Sequence, residues 1–498
     1  METKNYLIFD IGSSHGRALV AAYNENTFNI SKIYDFENIP VSAGNTLYWD
    51  VLKLFLEIKN SLRLVLSKYS KIESFAINSW GVDFGFIDKN GKLVSNPIHY
   101  RDTGRFSVEN SLYKIISKKD LYNRLGGLLS PVASIFNLFY LKSINSLELN
   151  RNNTFLMIPS IFNYFLTGIR VNEYTHASTT FLYDIDKKKW DYELIEMIGL
   201  QKNLFGEIAS AGTSLGSIKT DIALELGIPK IKSVLTVTHD TASAVAGVPV
   251  INNNKKWAFA SIGTWCTIGI ETPKPVIKEE AMEHEFYNEG SADGNNLLVR
   301  NLIGLWIIQE CRLSWINEKN KNITWKDIDA SIKNSKPFQS LIDVDDSVFI
   351  GPNSRMPEII AGFCRNTGQK APESIGEVSR CFYESLAFKI RHIFEIMEKI
   401  FDIKIEFLHI VGGGSNVEFL CQSIADATGK DVVAGPTETT AVGNLIMQLI
   451  ASGEIDNINQ GRNLSFNSSA VKQYHCREKE TWDTAYDKFL KILDTNKN

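Results

Sequence analysis

Several of the features that mark specialised chains are scarce or missing. Only six cysteines occur in 498 residues, Cys266, Cys311, Cys364, Cys381, Cys421 and Cys476, all in the second half. None forms a C-x-x-C pair, and only His475 stands beside one of them. A disulfide-stapled scaffold is excluded, and reduced, mostly buried thiols without a zinc site are expected. An excess of one charge is also lacking: 53 Lys and Arg face 57 Asp and Glu, a net charge of −4. Nothing in that balance draws the chain to nucleic acid or anionic lipid, so small molecules are the expected partners. No apolar run approaches membrane-spanning length, and the start Met1-Glu-Thr-Lys-Asn-Tyr6 lacks the apolar stretch and cleavage site of a signal peptide. The expectation is a cytoplasmic protein. The phosphate loop G-x-x-x-x-G-K-[ST] occurs nowhere, which rejects P-loop nucleotide chemistry.

What is present is ordinary globular material in a long chain. Hydrophobic residues make up 44% and charged residues 22%, which removes disordered and coiled-coil readings. The length is about three times that of a usual domain, so at least two cores are expected. Residues 6–23 read as a hairpin, Tyr6–Ile11 and Arg17–Tyr23 around Gly12-Ser-Ser-His-Gly16. Val51, Leu54, Phe55, Ile58, Leu62 and Val65 recur at helical spacing, and residues 72–77 return to strand. A second hairpin is predicted at Gly81–Ile87, turning at Asp88–Gly91, with helical segments near 106–125, 131–142 and 190–199. The polar stretch Asn252–Lys256 is the candidate boundary, giving lobes 1–250 and 251–498. Beyond it the opening repeats: Trp257–Ile262, Gly263-Thr264, Trp265–Ile270 is again strand, small turn, strand, the mark of a duplication. Val378, Cys381, Phe382, Leu386, Ile390, Phe394 and Met397 form a core helix stripe, followed by the strand Glu406–Val411 and the cluster Gly412-Gly-Gly-Ser-Asn416.

Three small-residue turns at strand ends could carry chemistry. The first, Asp10-Ile-Gly-Ser-Ser-His-Gly-Arg17, offers consecutive backbone N–H groups and two hydroxyls that can wrap phosphate oxygens. Ser261-Ile-Gly-Thr264 and Gly412-Gly-Gly414 supply two more, and together they suit a nucleotide, two clamps on the phosphates and a seat for the adenosine. His239-Asp240 ends an apolar strand and opens a small-residue helix. Asp240 there can act as an N-cap, as a base toward an attacking hydroxyl, or as both. Ser79-Trp-Gly-Val-Asp-Phe84 and Tyr100-Arg-Asp102 add an aromatic face, a guanidinium and carboxylates of the kind that receive a sugar. His15, His99, His176, His284, His392 and His409 show no metal-ligand spacing.

These segments, with Glu173-Tyr-Thr-His-Ala-Ser-Thr-Thr180, His239-Asp-Thr-Ala-Ser-Ala244, Asn288-Glu-Gly290, Arg300-Asn-Leu-Ile-Gly-Leu-Trp-Ile-Ile-Gln309 and His409–Gly414, resemble the FGGY carbohydrate kinases in order and spacing from about residue 6 to residue 485. The resemblance implies an α/β fold of two actin-like, ribonuclease H-like lobes, duplicated mixed-sheet domains with an ATP cleft between them. It implies transfer of the γ-phosphoryl of ATP, with Mg²⁺, to O1 of a deoxyketose. By matching positions, Asp240 would be the catalytic base. Gly81 and His239 would contact the sugar, and Trp80, Asp83 and Arg101 are expected to bind it with them. Ser13, Ser14, His15, Gly16, Arg17, Thr264, Asn301, Gln309 and Gly413 would line the ATP, and Asp10 would sit near Mg²⁺ through water. Two residues depart from the family's usual pattern. His15 replaces a small residue of the first turn, and Ser160 stands where relatives usually carry Asp. A catalytically silent sugar-binding protein on the same fold is the rival class, and the intact Asp240 and three turns speak against it. Composition leaves the oligomeric state open.

Overall fold

In the computed structural model, residues 3–250, 256–319, 322–351 and 355–495 are described. Apart from Lys256, the expected boundary Asn252–Lys256 lies outside the described residues. The chain forms two compact units. One comprises Met1–Ile251, Glu271–Val299 and Glu438–Ser469, the other Asn252–Ile270, Arg300–Thr437 and Ala470–Asn498. The division therefore differs from contiguous lobes 1–250 and 251–498. The physical reason is that two later stretches supply apolar faces to the first unit.

The first unit is built on a six-stranded sheet in the order 213–217, 232–235, 74–79, 4–11, 15–23, 28–37. The strand Lys4–Ile11 is antiparallel to His15–Tyr23 and parallel to Ser74–Ser79. Alternation along this strand serves two cores. Leu7, Phe9 and Ile11 pack with Val51, Leu54, Ile58, Leu62 and Val65 of the helix Val51–Lys68, whose first turn is capped by Asp50. Tyr6 and Ile8 face the other way, onto Ala441, Val442, Leu445, Ile446 and Leu449 of the helix Thr439–Ser452. That helix also carries buried amides. Asn444 donates to Asn78 at 2.5 Å, and Gln448 donates to the Leu7 carbonyl at 3.1 Å and accepts from Ser74 at 2.7 Å. A third core, rich in Phe84, Phe86, Phe136, Phe155 and Trp190, fills the region between residues 84 and 205.

The second unit repeats the pattern of pairings. Trp265–Thr272 is antiparallel to Trp257–Ile262, which runs parallel to Phe407–Val411; that strand is parallel to Asp431–Ala434, and Lys472–Tyr474 closes the edge antiparallel. The same succession, a hairpin, two parallel neighbours and an antiparallel edge, orders the first sheet from the hairpin 4–23 outward through Ser74–Ser79 and Lys232–Leu235 to Thr213–Ser217. The stripe from Val378 to Met397 lies on the helix Ile375–Phe401, started by a capping box of Ser374 and Glu377.

One expected element is different. Phe84–Ile87 does not form a hairpin with the residues after Gly91; it pairs antiparallel with Thr154–Met157. The turn at Asp88 does form, closed by Asp88 N–H to Lys92 O at 2.8 Å, but only the single bridge between Ile87 and Leu93 follows it. The longer apolar ladder to Thr154–Met157 takes the strand instead. All six cysteines are free thiols, five of them buried.

Candidate active site

Asp240 is the first residue of the helix Asp240–Ala246, and His239 precedes it in extended backbone. His239, not Asp240, thus occupies the cap position, and it makes no side-chain capping bond. Asp240 Oδ1 instead accepts the N–H of Thr241 at 2.7 Å, leaving a side chain that is 34% exposed. Two glycines let this helix lie close against Thr439–Ser452. A Cβ on Gly443 would fall 1.9 Å from the Ser243 carbonyl, and one on Gly247 would fall 2.3 Å from that of Thr439. Burial raises the Asp240 carboxyl above its ordinary range; the charged His239 opposes this and Asp10 adds to it.

The approach to Asp240 is fixed by a buried acid. Glu173 accepts from the N–H and hydroxyl of Thr175, at 2.9 and 2.5 Å, and from the N–H and hydroxyl of Thr238, at 3.0 and 2.9 Å. Ser79 N–H donates to the Thr238 carbonyl at 2.9 Å, which ties the segment to the sheet. His239 then lies with Nδ1 3.3 Å from Glu289 Oε2 and Nε2 3.4 Å from Asp240 Oδ1. Burial disfavours charge on this ring, but Glu289, then Asp240 and Glu173, outweigh it and raise its pKa to about 9. His176, with its ring 5.8 Å away, is held well below the ordinary range by burial and by His239.

Gly81 borders the same ring: a Cβ there would stand 3.0 Å from His239 Nε2 and 3.3 Å from Thr179 Cγ2. The next residue, Val82, has φ +65°, a left-handed backbone that a β-branched side chain resists. It is held by Thr179, whose hydroxyl accepts the Val82 N–H at 3.0 Å, and by Ser134, which donates to the Val82 carbonyl at 2.6 Å. Asp83 is fully buried. It accepts from Trp49 Nε1 at 2.6 Å, Trp80 Nε1 at 3.0 Å, Tyr100 N–H at 3.1 Å and Arg105 at 3.0 Å. With its oxygens so engaged and no exposed surface, Asp83 is placed to shape the site rather than to touch a sugar, which corrects the expectation of direct contact. Burial raises the Asp83 carboxyl while Arg105 opposes it. Trp80 is 5% exposed, and Arg101 is exposed with its guanidinium 5.5 Å from the Tyr100 ring centre. His99, stacked on Trp49, is lowered to about 3 by burial and the neighbouring Arg101 and Arg105.

The first turn is closed by Gly12 N–H to His15 O at 2.8 Å and held by Asn38, whose N–H donates to Ser14 O and whose amide donates to Gly12 O. Ser14 and His15 are exposed and Ser13 is half-buried. The ring that departs from the family pattern thus lies at the surface. Gly16 leaves room for Phe36, which a Cβ would meet at 2.2 Å. Arg17 bridges Asp10 at 2.5 Å and Glu438 at 2.7 Å. Burial works against its charge, and the two carboxylates more than restore it. Ser160 is fully buried in the first turn of Ile158–Thr167, and its hydroxyl makes no hydrogen bond.

In the second unit four expected residues come together around the end of Trp257–Ile262. Gly263 N–H donates to Trp265 O at 2.8 Å, Gly304 N–H to Thr264 O at 3.0 Å and Leu305 N–H to Gly263 O at 2.7 Å. Gly304 is required by this closeness, since its Cβ would lie 2.5 Å from the Gly263 carbonyl. Thr264 is exposed with its hydroxyl 3.5 Å from Gln309 Oε1, and Asn301 accepts from Thr267 at 2.8 Å. Gly412, at φ +76°, turns the chain beside Ile262, and a Cβ on Gly413 would stand 3.9 Å from the Ile262 carbonyl.

Glu289 and Glu438 were not singled out by sequence as partners of His239 and Arg17. The place of Glu289 in Asn288-Glu-Gly290, one of the segments that carry the family resemblance, was the available signal for the first; nothing local marks the second.

The arrangement of mixed sheets has close counterparts among solved structures. The gluconate kinase from Lactobacillus acidophilus superposes with a TM-score of 0.80 at 16% identity, covering 99% of this chain and 98% of that one. The glycerol kinase of Plasmodium falciparum, solved with ADP, gives 0.77 at 15% identity over 98% of each chain. These likenesses define the class as a two-domain α/β protein of actin-like ATPase fold. The model of the FGGY carbohydrate kinase N-terminal domain matches residues 5–247 and that of the C-terminal domain matches residues 258–452, and the chain belongs to this family of sugar kinases. Among curated relatives, the rhamnulokinase of Bacteroides thetaiotaomicron is 34% identical over 98% of this chain and 99% of its own. That of Halalkalibacterium halodurans is 36% identical over 96% of this chain and 100% of its own.

Proposed function

We propose that this sugar kinase transfers the γ-phosphoryl of ATP to O1 of L-rhamnulose, giving L-rhamnulose 1-phosphate and ADP, as a step in the breakdown of L-rhamnose. The observation that carries the reading is the placement of Asp240, a partly exposed carboxylate at a helix start beside Gly81 and His239, in a chain whose end-to-end relatives bear the name rhamnulokinase.

Asp240 accepts the proton of the sugar hydroxyl as that oxygen attacks the γ-phosphorus. Burial raises its proton affinity toward that of a useful base, and the helix start steadies developing negative charge. His239 and Gly81 contact the sugar, with Trp80 and Arg101 at its border and Asp83 fixing the Trp80 ring. Ser13 to Arg17, Thr264, Asn301, Gln309 and Gly413 receive ATP. Residues 1–250 supply the sugar contacts, the first phosphate turn and the base; residues 251–498 supply the second turn and the adenosine seat. Positioning and charge neutralisation provide most of the rate.

Among the described residues no group of three or more His, Cys, Asp or Glu is placed to hold a metal. One carboxylate suits Mg²⁺ bound chiefly by phosphate and water, and Asp10 fits this role: Arg17 engages Oδ2, and among the described residues no donor engages Oδ1. Mg²⁺ there would neutralise phosphate charge. Among the described residues no helix is long and apolar enough to cross a membrane. We place the protein in the cytoplasm, where its nucleotide is.

The test is coupled ADP release with Mg²⁺–ATP and a panel of L-rhamnulose, L-fuculose, L-ribulose, D-xylulose and glycerol. Selectivity for L-rhamnulose is expected. A preference for L-fuculose would move the substrate, and ATP binding without turnover on any sugar would favour a silent binding protein.

A further inference from the structure

We propose that Glu289 is a positioning residue for phosphoryl transfer: its carboxylate holds His239 as an imidazolium directed at Asp240, which keeps Asp240 ionised and ready to accept the sugar's proton. This rests on Asp240 being the base.

The geometry is a chain of carboxylate, imidazole and carboxylate. Glu289 Oε2 lies 3.3 Å from His239 Nδ1, and His239 Nε2 lies 3.4 Å from Asp240 Oδ1. The side chains of Glu289 and His239 are 9% and 8% exposed, so both charges are withdrawn from water. Among the described residues neither Glu289 Oε2 nor His239 Nδ1 makes a hydrogen bond of good geometry, so what joins them is an ion pair at 3.3 Å. An isolated buried carboxylate is costly, and a charged ring at this distance compensates it.

The strand that carries Glu289 is pinned on both sides of it. Asn288 accepts the Val276 N–H at 2.7 Å and donates to Gly126 O at 3.0 Å. Gly290 N–H donates to Ser178 at 2.8 Å, and a Cβ on Gly290 would strike the Tyr174 ring at 2.6 Å. Such a fixed strand delivers one side chain reproducibly, as a positioning group requires.

The other ionisable groups facing the ring do not replace Glu289. Glu173 faces it from the segment leading into Tyr174–Ser178, but its oxygens are committed to Thr175 and Thr238. His176, on that short helix, is neutral because of burial and His239. Asp10, from the strand Lys4–Ile11, acts on Asp240 and raises its proton affinity, opposite in sense to His239. Burial at the base is offset first by the imidazolium and then by the Thr241 N–H, while the charge of Glu289 acting directly on Asp240 is the smallest of the opposing effects. Glu289 acts chiefly through the ring, where it leads the carboxylates that keep it charged.

The sign follows from these charges. Replacing Glu289 by Gln lets His239 lose its proton near neutrality, and Asp240 then holds its own proton to higher pH. In Glu289→Gln the acid limb of kcat/KM should rise by about one pH unit, and the alkaline limb should fall, narrowing the profile from both sides. Glu289→Asp, which keeps the charge, should retain the acid limb. A uniform loss of rate with an unchanged profile, or the same shift in Glu289→Asp, would overturn the proposal.

A second readout needs no turnover. With ¹⁵N-labelled histidine and His239 assigned by loss of its signals in His239→Asn, the ring should stay imidazolium through pH 8 in the unaltered protein and titrate below pH 7 in Glu289→Gln. A ring that titrates identically in both would refute the role of Glu289 whatever the substrate proves to be. If the ring responds as expected but Asp240→Asn retains turnover, it is the base assignment that fails.

Discussion

Replacing Asp83 by Asn changes almost no volume, so its effect isolates charge and hydrogen bonding beneath Trp80 and Gly81. The carboxylate now answers four donors, with Arg105 at 3.0 Å, and both members of the ion pair are 0% exposed. An Asn can keep its carbonyl toward Trp49, Trp80 and Tyr100, which turns its NH₂ against the Arg105 guanidinium. Two donors then face each other beside an uncompensated buried charge. Breaking such a pair costs about 3–5 kcal/mol. Arg105 retains the Val132 carbonyl at 2.7 Å and a long contact to Ile98 O at 3.4 Å, which favours the lower end, about 3 kcal/mol. Urea unfolding followed by tryptophan fluorescence is a suitable assay, because Trp49 and Trp80 lie 4.2 Å apart at this carboxylate. Adding Arg105→Met should recover part of the loss by removing the stranded charge, so the double variant should be more stable than the sum of the singles. A loss below about 1 kcal/mol in Asp83→Asn, or strict additivity, would refute the reasoning.

Other expectations follow from single contacts. Asp240→Asn should lower kcat by about 10²–10⁴-fold while ATP binding, measured by calorimetry, stays within a factor of two or so. Gly81→Ala sets a methyl 3.0 Å from His239 Nε2, so KM for the sugar should rise several-fold with the ATP KM unchanged; equal effects on both would contradict the assignment. Gly304→Ala brings its Cβ 2.5 Å from the Gly263 carbonyl and should weaken ATP binding by displacing the Thr264 turn, a change that nucleotide titration would show.

Local periodicity made much of the scaffold legible. The hairpin of Lys4–Ile11 with His15–Tyr23, its echo at Trp257–Thr272, and the helices Val51–Lys68 and Ile375–Phe401 each announce themselves within one window of sequence. The partner of Phe84–Ile87 was hidden, since a turn sequence at Asp88 advertised a nearby strand while the longer ladder lay some seventy residues on. The placement of Thr439–Ser452 in the first unit was hidden too. Its amides Asn444 and Gln448, four residues apart on an apolar helix, meet Asn78 and Leu7 only once the fold exists. In the site, the motifs located Asp240, His239 and Gly81. Their supports, Glu173, Glu289, Arg105 and Glu438, owe their meaning to contacts across the fold, and Asp83 looked like a sugar ligand until its four donors were counted.

The most direct measurement is proton-coupled ³¹P NMR of the product formed from L-rhamnulose and Mg²⁺–ATP. The account predicts growth of a phosphomonoester signal split into a triplet by the C1 methylene protons, matched by ADP, and its absence with Asp240→Asn. A doublet, which marks an ester on a secondary carbon, or no new ester from folded protein, would contradict it.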